Sequence, residues 1–409
     1  MKDIAIIGAG AAGLATAIFT ARRDRNLSIL LVDGARKIGA KILVSGGGRC
    51  NVTNDVVTPA DYSGGSRNSI RRVLQAFPVE ATVDFFREIG VHLHREDEGK
   101  LFPNSNKART VLDALLAEVR KLGIDLRTDH RVEKIEKRED GFDIETSQGT
   151  FSSKKLVLAT GGMALPKSGS DGVGYRMAKK FGHQIIDPIP ALVPLILEGS
   201  FHSALSGVAH PVGLSVRAEG EKPVQSGRAM LWTHFGISGP APMDLSRAWL
   251  RPKRENRPVT MTANFLENKK ASDLEAWFLG EAKKNATASV QKALSKRLPA
   301  RLAGAILDRE KIPEDRTFAH LGKEERKRLV RAICEWPVPV LKSRGYNFAE
   351  VTAGGVPLSE IDPKTMASRT CPNLHLVGEI IDVDGKIGGF NFQWAWSSGW
   401  VAGAALAGA

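Results

Sequence analysis

The sequence predicts an α/β protein in which one mostly parallel sheet is assembled from both ends of the chain, around an inserted lobe. Three observations carry that reading. A strand, a glycine-rich turn and a helix open the chain; a buried strand and a glycine-led apolar helix close it; between them the texture changes.

Ile4 to Ile7 reads as a short strand, Leu14 to Arg23 as a helix and Ser28 to Asp33 as a second buried strand, which makes one βαβ unit. A loop rich in glycine runs from Gly34 to Thr53. Arg71 to Gly90 and Ala108 to Gly123 carry helical periodicity, each ended by glycine. Ile124 to Leu126, Val132 to Lys137, Phe142 to Thr146 and Leu156 to Ala159 read as strands, part of them an antiparallel meander on the main sheet. Pro188, Pro190 and Pro194 mark a boundary. From Leu192 to about Asn264 the pattern is that of strands, with Val212, Leu214 and Val216 on one face. From Ser272 to Arg331 it is helical, with Leu294, Leu298, Leu302 and Ile306 in register. After Trp336 the first style returns: Asn373 to Gly378 is a buried strand and Gly388 to Ala407 a helix.

Composition narrows the function classes. A chain of 409 residues, 42% apolar and 25% charged, is long enough for two or three lobes and shows no sign of disorder. Three scattered cysteines, Cys50, Cys334 and Cys371, fit neither a disulfide framework nor a zinc site, so a reducing cytoplasm is expected and no metal. No apolar run is long enough for membrane insertion, and the regular glycines after Asp3 suit a strand and turn better than an export signal. The net charge of +13 permits acidic partners, but the densest basic stretches, Arg251 to Arg257 and Lys323 to Arg331, are interrupted by acids. A small-molecule substrate is therefore expected ahead of nucleic acid. Oligomeric state is not readable.

Gly8, Gly10 and Gly13 form G-x-G-x-x-G between a strand and a helix. The first glycine permits the tight turn, the second lets a pyrophosphate approach the backbone, and the third lets helix and strand pack closely. The phosphates then meet the N–H groups of Ala11 and Ala12 at the positive end of a helix. Asp33, 20 residues after Gly13, is placed to accept ribose hydroxyls, with Gly34 beside it. Together these predict a Rossmann-type dinucleotide site, and the acid argues against a 2′-phosphate there.

Further motifs separate FAD from NAD. Residues 39 to 54 read GAKILVSGGGRCNVTN. Ser45, Gly46, Gly47 and Gly48 expose backbone to a flat ring or phosphates, Lys41 and Arg49 offer positive charge, and Cys50 and Asn51 follow. Val132, Thr160 and Gly161 stand where strands pass the cofactor. Gly378 and Glu379 close the late strand, where an acid can bond the ribityl hydroxyls that NAD lacks. Asp384, Gly388, Gly389, Asn391, Phe392 and Gln393 open the final helix, whose N-terminus would face the flavin N1–C2=O edge. The cofactor read from these residues is FAD, with NAD(P)H a candidate transient donor.

At these residues the chain resembles a known family. IIGAGAAGLATA, KIGAKILVSGGGRCNVTN, ATGG, PALVPL, THFGISGPA, VTAGGV and VGEIIDVDGKIGGFNFQWAWSSG look like the bacterial flavoproteins described as NAD(P)/FAD-dependent oxidoreductases, among them aminoacetone oxidases and bile-acid enone reductases. The resemblance implies an FAD/NAD(P)-binding Rossmann-type domain interrupted by an inserted β-barrel plus helical domain. The expected division is 1–189 with 346–409 for the FAD domain, 190–265 with 332–345 for the barrel-like insert, and 266–331 for the helical subdomain.

The flavin carries redox chemistry, so the candidate catalytic groups are those that could serve it. Cys50 follows the glycine loop, and His234 begins a glycine-rich bend in the insert; Arg344 and Tyr346 come after these. His92 and His94 alternate on a strand without a third ligand. Gly172-Val173-Gly174 follows a polar turn, so it is not a second dinucleotide site and resembles instead the GDG turn of fumarate-reductase-like flavoproteins. The expected activity is an FAD-dependent reductase or dehydrogenase on a small or medium apolar substrate. An amine oxidase producing peroxide and an FAD-containing RNA-modifying or RNA-binding protein are the alternatives.

Overall fold

Runs of aliphatic residues long enough to be buried on both faces set the centre of the first sheet. The structure, a computed structural model, describes residues 1–267 and 269–408. The chain divides into two units, Met1–Pro190 with Ala349–Ala409, and Ala191–Phe348.

The first unit has an α/β Rossmann-type fold. β1 (Lys2–Ile7), β2 (Ile29–Val32), β3 (Asp125–Arg127), β4 (Gly149–Leu158) and β5 (Leu374–Leu376) stand in the order β3-β2-β1-β4-β5. Every neighbouring pair is parallel. That order matches the first five strands of the 3-2-1-4-5-6 sheet of doubly wound dinucleotide-binding folds. The last strand to join comes from the far end of the chain, so the sheet is incomplete without it.

β4 does two jobs. Its first half pairs antiparallel with Phe142–Thr146, while its second half lies between β1 and β5. The sequence pattern shows only the apolar second half, because the first half is largely exposed. Arg71 to Gly90 is likewise corrected: two helices, Arg67–Ala76 and Val79–Glu88, meet at Pro78. Proline lacks the N–H that would continue the ladder and keeps Phe77 out of helical geometry.

α1 (Ala11–Arg23) follows β1, and α2 (Phe390–Leu406) ends the chain. They approach closely because Gly399 and Gly403 present bare backbone to α1. A Cβ at Gly399 would lie 2.8 Å from Ala15 Cβ, and one at Gly403 would lie 2.9 Å from Phe19 Cβ.

The second unit holds a seven-stranded antiparallel sheet. It runs in the order 336–337, 259–264, 209–218, 224–233, 236–238, 195–197, 340–343. Its two outer strands belong to one stretch of chain, separated by Val338 and Pro339. Val338 N–H donates to Met261 O and Glu198 N–H to Pro339 O, so that stretch serves both ends of the sheet. Pro240–Arg254 is a helix, which the strand reading of this region missed. Its signal was Gly239-Pro240, with proline at the first helical position, where its missing N–H costs nothing.

Helices follow at Ala271–Lys284, Val290–Leu294, Ala300–Arg309 and Lys323–Cys334. Leu294, Leu298, Leu302 and Ile306 are all buried, although Leu298-Pro299 interrupts the helix they were read on. Among the described residues no helix is long and apolar enough to cross a membrane.

Candidate functional site

The turn after β1 is built as its glycines require. Gly8 has φ 104°, and its N–H donates to Val32 O at 2.8 Å. A Cβ there would stand 2.5 Å from Ala159 O, and one at Gly13 would stand 1.9 Å from Gly8 O. Those two glycines serve the chain itself. Gly10 differs: φ −81° and ψ −169° suit any residue, and a Cβ would meet nothing within 4 Å. Nothing in the protein demands a glycine there, whereas a pyrophosphate passing over the turn would. No side chain caps α1 and its first turn holds no acid. The first-turn N–H groups of Ala11, Ala12 and Gly13 are thus left for an anion.

Asp33 is half-buried and rigidly held. Ala9 N–H donates to one carboxylate oxygen at 2.7 Å and Ala35 N–H to the other at 2.8 Å. The acid is locked at the end of β2 beside the glycine turn. Gly34 is pressed against Arg131, next to the buried Val132.

The segment expected as a glycine loop begins as a helix at Ala40 and kinks at Ser45, Gly46 and Gly47. Gly46, Gly47 and Gly48 have φ 56°, 68° and 85°, a run of left-handed backbone that side chains rarely adopt. The Ser45 hydroxyl donates to Ile42 O. Arg49 bonds Glu96 at 2.6 Å and lies 4.1 Å over the Phe102 ring. His94 shares the same carboxylate oxygen, whereas His92 is exposed.

Cys50 is fully buried, and burial pushes its thiol up to about 12. It is a packed, protonated thiol at neutral pH and not a thiolate nucleophile. Asn51 beside it is 7% exposed, and its Oδ1 has no partner.

The strand ends of β4 and β5 bring distant segments together. Thr160 lies against Gly8, and its buried Oγ1 has no partner. Gly174 faces that hydroxyl, so the Gly172-Val173-Gly174 turn makes room for Thr160. Gly161, with φ 71°, turns the chain beside Ser170. Gly378 backs onto Ala12 of α1. Glu379 accepts from Lys41 Nζ at 2.5 Å and from Thr352 N–H at 2.9 Å. Lys41 was expected to face pyrophosphate charge; its ammonium is instead committed to a carboxylate 338 residues away. Thr352, missed in the sequence, is buried, and its hydroxyl accepts from the N–H groups of Met163 and Ala164. Its only signal was the VTAGG strand, which gives no hint of this hydroxyl's partners.

Glu379→Ala removes the partner of Lys41 and of the Thr352 N–H together. We expect FAD affinity to fall by about tenfold, the size of one charged hydrogen bond. Equilibrium dialysis against FAD checks this, and unchanged affinity would show that the carboxylate serves only the fold.

The start of α2 separates into two roles. Gly389 has φ 95°, and a Cβ there would lie 2.5 Å from the Thr53 carbonyl. Gly388 O accepts from Asn54 Nδ2. No acid or side-chain cap occupies the helix N-terminus, which leaves its N–H groups available. Phe392 stacks on Trp396, and Asp384 is buried. Asn391 exchanges two bonds with the Gly385 backbone. Gln393 bonds Thr53, Thr82, Phe77 O and Ser397, so its amide is committed within the protein and is not free for a cofactor.

In the second unit His234 is exposed at the turn between the strands Val224–Thr233 and Gly236–Ser238. It shares a cluster with Phe235 and Arg344, while Tyr346 lies just beyond.

A dinucleotide fits the first-unit residues. Gly10 leaves open space, α1 is uncapped, and Asn51 Oδ1 and Thr160 Oγ1 are buried acceptors without a donor.

Comparison with known proteins agrees. The profile of the HI0933-like protein Rossmann domain matches residues 2–405. The chain is 32% identical over 407 residues to the 3-dehydro-bile acid delta(4,6)-reductase of Clostridium scindens, spanning 100% of this chain and 99% of that one. It is 33% identical over 401 residues to the ribosomal RNA dihydrouridine synthase of Escherichia coli, spanning 97% and 96%. In fold it is similar to 3-ketosteroid delta1-dehydrogenase from Sterolibacterium denitrificans, with a TM-score of 0.50, 13% identity and 99% of each chain covered. Escherichia coli quinol fumarate reductase gives a TM-score of 0.50 at 17% identity over 99% of this chain and 70% of that one.

Proposed function

The chain belongs to the HI0933-like Rossmann-domain family and is an FAD-dependent oxidoreductase, and from that premise we propose that it saturates a carbon–carbon double bond conjugated to a carbonyl group. One observation carries this reading. Two relatives that align over nearly the whole chain bear names with unrelated substrates, a bile acid and ribosomal RNA, yet both names describe loss of a ring double bond. An enone and a uracil ring share that bond beside a carbonyl.

FAD, when bound, supplies the two-electron chemistry. The chain's own residues would hold it: the N–H groups that open α1 would take the pyrophosphate, Asp33 the adenosine ribose, and Glu379, bonded to Lys41, the ribityl hydroxyls. Asn51 Oδ1 and Thr160 Oγ1, buried without a partner, would be the acceptors left for the cofactor. NAD(P)H is the proposed electron donor.

A small or medium apolar ring compound remains the first substrate reading. A uridine in RNA is the second, and charge favours it. Between Glu281 and Asp308 the chain contains no acid but carries Lys283, Lys284, Lys292, Lys296, Arg297 and Arg301. All six are exposed, and the four lysines enter no ion pair with the described residues. Such a stretch suits a phosphate backbone. The sequence reading passed over it because it looked for dense runs, and this one is marked by missing acids.

The test is anaerobic incubation of FAD-loaded protein with NADH or NADPH, a steroid enone, and a ribosomal RNA fragment. Mass spectrometry should find two hydrogens added to one of them. Peroxide from an amine panel, with both substrates unchanged, would replace this reading with an amine oxidase.

A further inference from the structure

The strand Leu195–Leu197 lies between two others in the second unit and brings their ends together. Ile196 sits opposite Lys342 on one side and opposite Gly236 on the other. Arg344 N–H donates to Pro194 O, and Leu197 N–H donates to Phe235 O. Gly345, with φ 77°, then reverses the chain so that Phe348 folds back. The Arg344 guanidinium carbon stands 4.3 Å from the Phe235 ring centre and 3.5 Å from that of Phe348.

Aromatic rings stabilise a guanidinium that lies over them but leave its edge unanswered. Arg344 is half-buried, and no carboxylate or carbonyl among the described residues accepts from it. Arg22, Arg228, Arg257 and Arg326 are similarly half-buried, and each binds a carboxylate. His234 lies 5.1 Å from Phe235, ring to ring, and is exposed. Thr233, one residue earlier, has a buried Oγ1 without a partner. Phe348 remains 46% exposed, so the cluster opens to solvent.

We propose that Arg344, whose guanidinium lies over the Phe235 and Phe348 rings beside His234, is a receptor for a carboxylate or phosphodiester oxyanion. A planar fork with fixed faces presents its N–H groups in the geometry that a carboxylate or a phosphodiester accepts. This inference goes beyond the double-bond reading and stands on the second unit's own residues.

The experiment measures binding to the full FAD-loaded chain with two pairs of probes. One pair is a steroid enone carboxylic acid and its methyl ester. The other is a short oligouridylate and the same oligomer with an uncharged methylphosphonate backbone. The parent should prefer the charged member of one pair. Arg344→Gln should weaken that member by about ten- to a hundredfold and leave the neutral one within about twofold. Arg344→Lys should recover only part of the loss, since an ammonium keeps the charge but not the fork. The pair that responds tells carboxylate from phosphodiester. Equal losses for charged and neutral members, or no preference for charge in either pair, would overturn the proposal. Circular dichroism and FAD content confirm that the variants are folded. If the charged probe binds through Arg344 but is never reduced, the double-bond reading falls and the receptor stands.

Discussion

A Gly10→Val chain should fold, and melt without cofactor within about 1 kcal/mol of the parent, yet lose FAD affinity by about a hundredfold or more. The backbone at Gly10 is extended, so valine adopts it without strain, and its Cβ enters space that no protein atom reaches within 4 Å. That space is where a pyrophosphate must pass to reach the α1 N-terminus. A hundredfold loss removes about 2.7 kcal/mol of the stabilisation that saturating FAD gives the parent. Thermal melts with and without FAD measure both quantities. Gly13→Ala is the contrasting variant, because its Cβ would collide with Gly8 O and should damage the chain even without cofactor. Parent-like FAD stabilisation in Gly10→Val would mean that the phosphates do not cross this turn.

Gln393→Leu should do the opposite and destabilise the cofactor-free chain by about 2–4 kcal/mol, the cost of leaving several buried polar groups unmade. The amide is 1% exposed. Its Oε1 accepts from the Thr53 hydroxyl at 2.6 Å and the Thr82 hydroxyl at 3.0 Å, while Nε2 donates to Phe77 O and Ser397 Oγ. Leucine fills a similar volume but can answer none of them. The strut ties α2 to the segment carrying Asn51 and to the helix Val79–Glu88. A lower cofactor-free melting temperature with an unchanged increment from FAD is the expected pattern. A parent-like cofactor-free melt with a lost increment would return Gln393 to the cofactor's contacts.

How these residues divide explains how far the chain could be read in advance. The G-x-G-x-x-G turn, Asp33 and the late VGE strand were legible because their requirements are local: a positive φ, a strand end, an uncapped helix start. So was the aliphatic patterning of β2 and of Ile4–Ile7 in β1, since strands buried on both faces read as apolar runs; β5 is Leu-His-Leu, with His375 itself buried. The split of Arg71 to Gly90 at Pro78 was also available locally, and was overridden by apolar periodicity on either side. The helix Pro240–Arg254 was lost to its setting among period-two strands.

Side-chain commitment is a different kind of fact. Lys41 and Glu379 each looked ready for FAD, yet they meet each other across 338 residues. Gln393 and Asn391 looked like ligand amides, and their bonds close within the protein. Arg344 looked like one more surface cation, yet its guanidinium lies over the rings of Phe235 and Phe348. Residue type states what a group is able to bond, and that much the chain's order of amino acids establishes. Which groups are already answered depends on donors and acceptors brought close by folding, and a buried polar group takes whichever partner arrives, because remaining unpaired costs more.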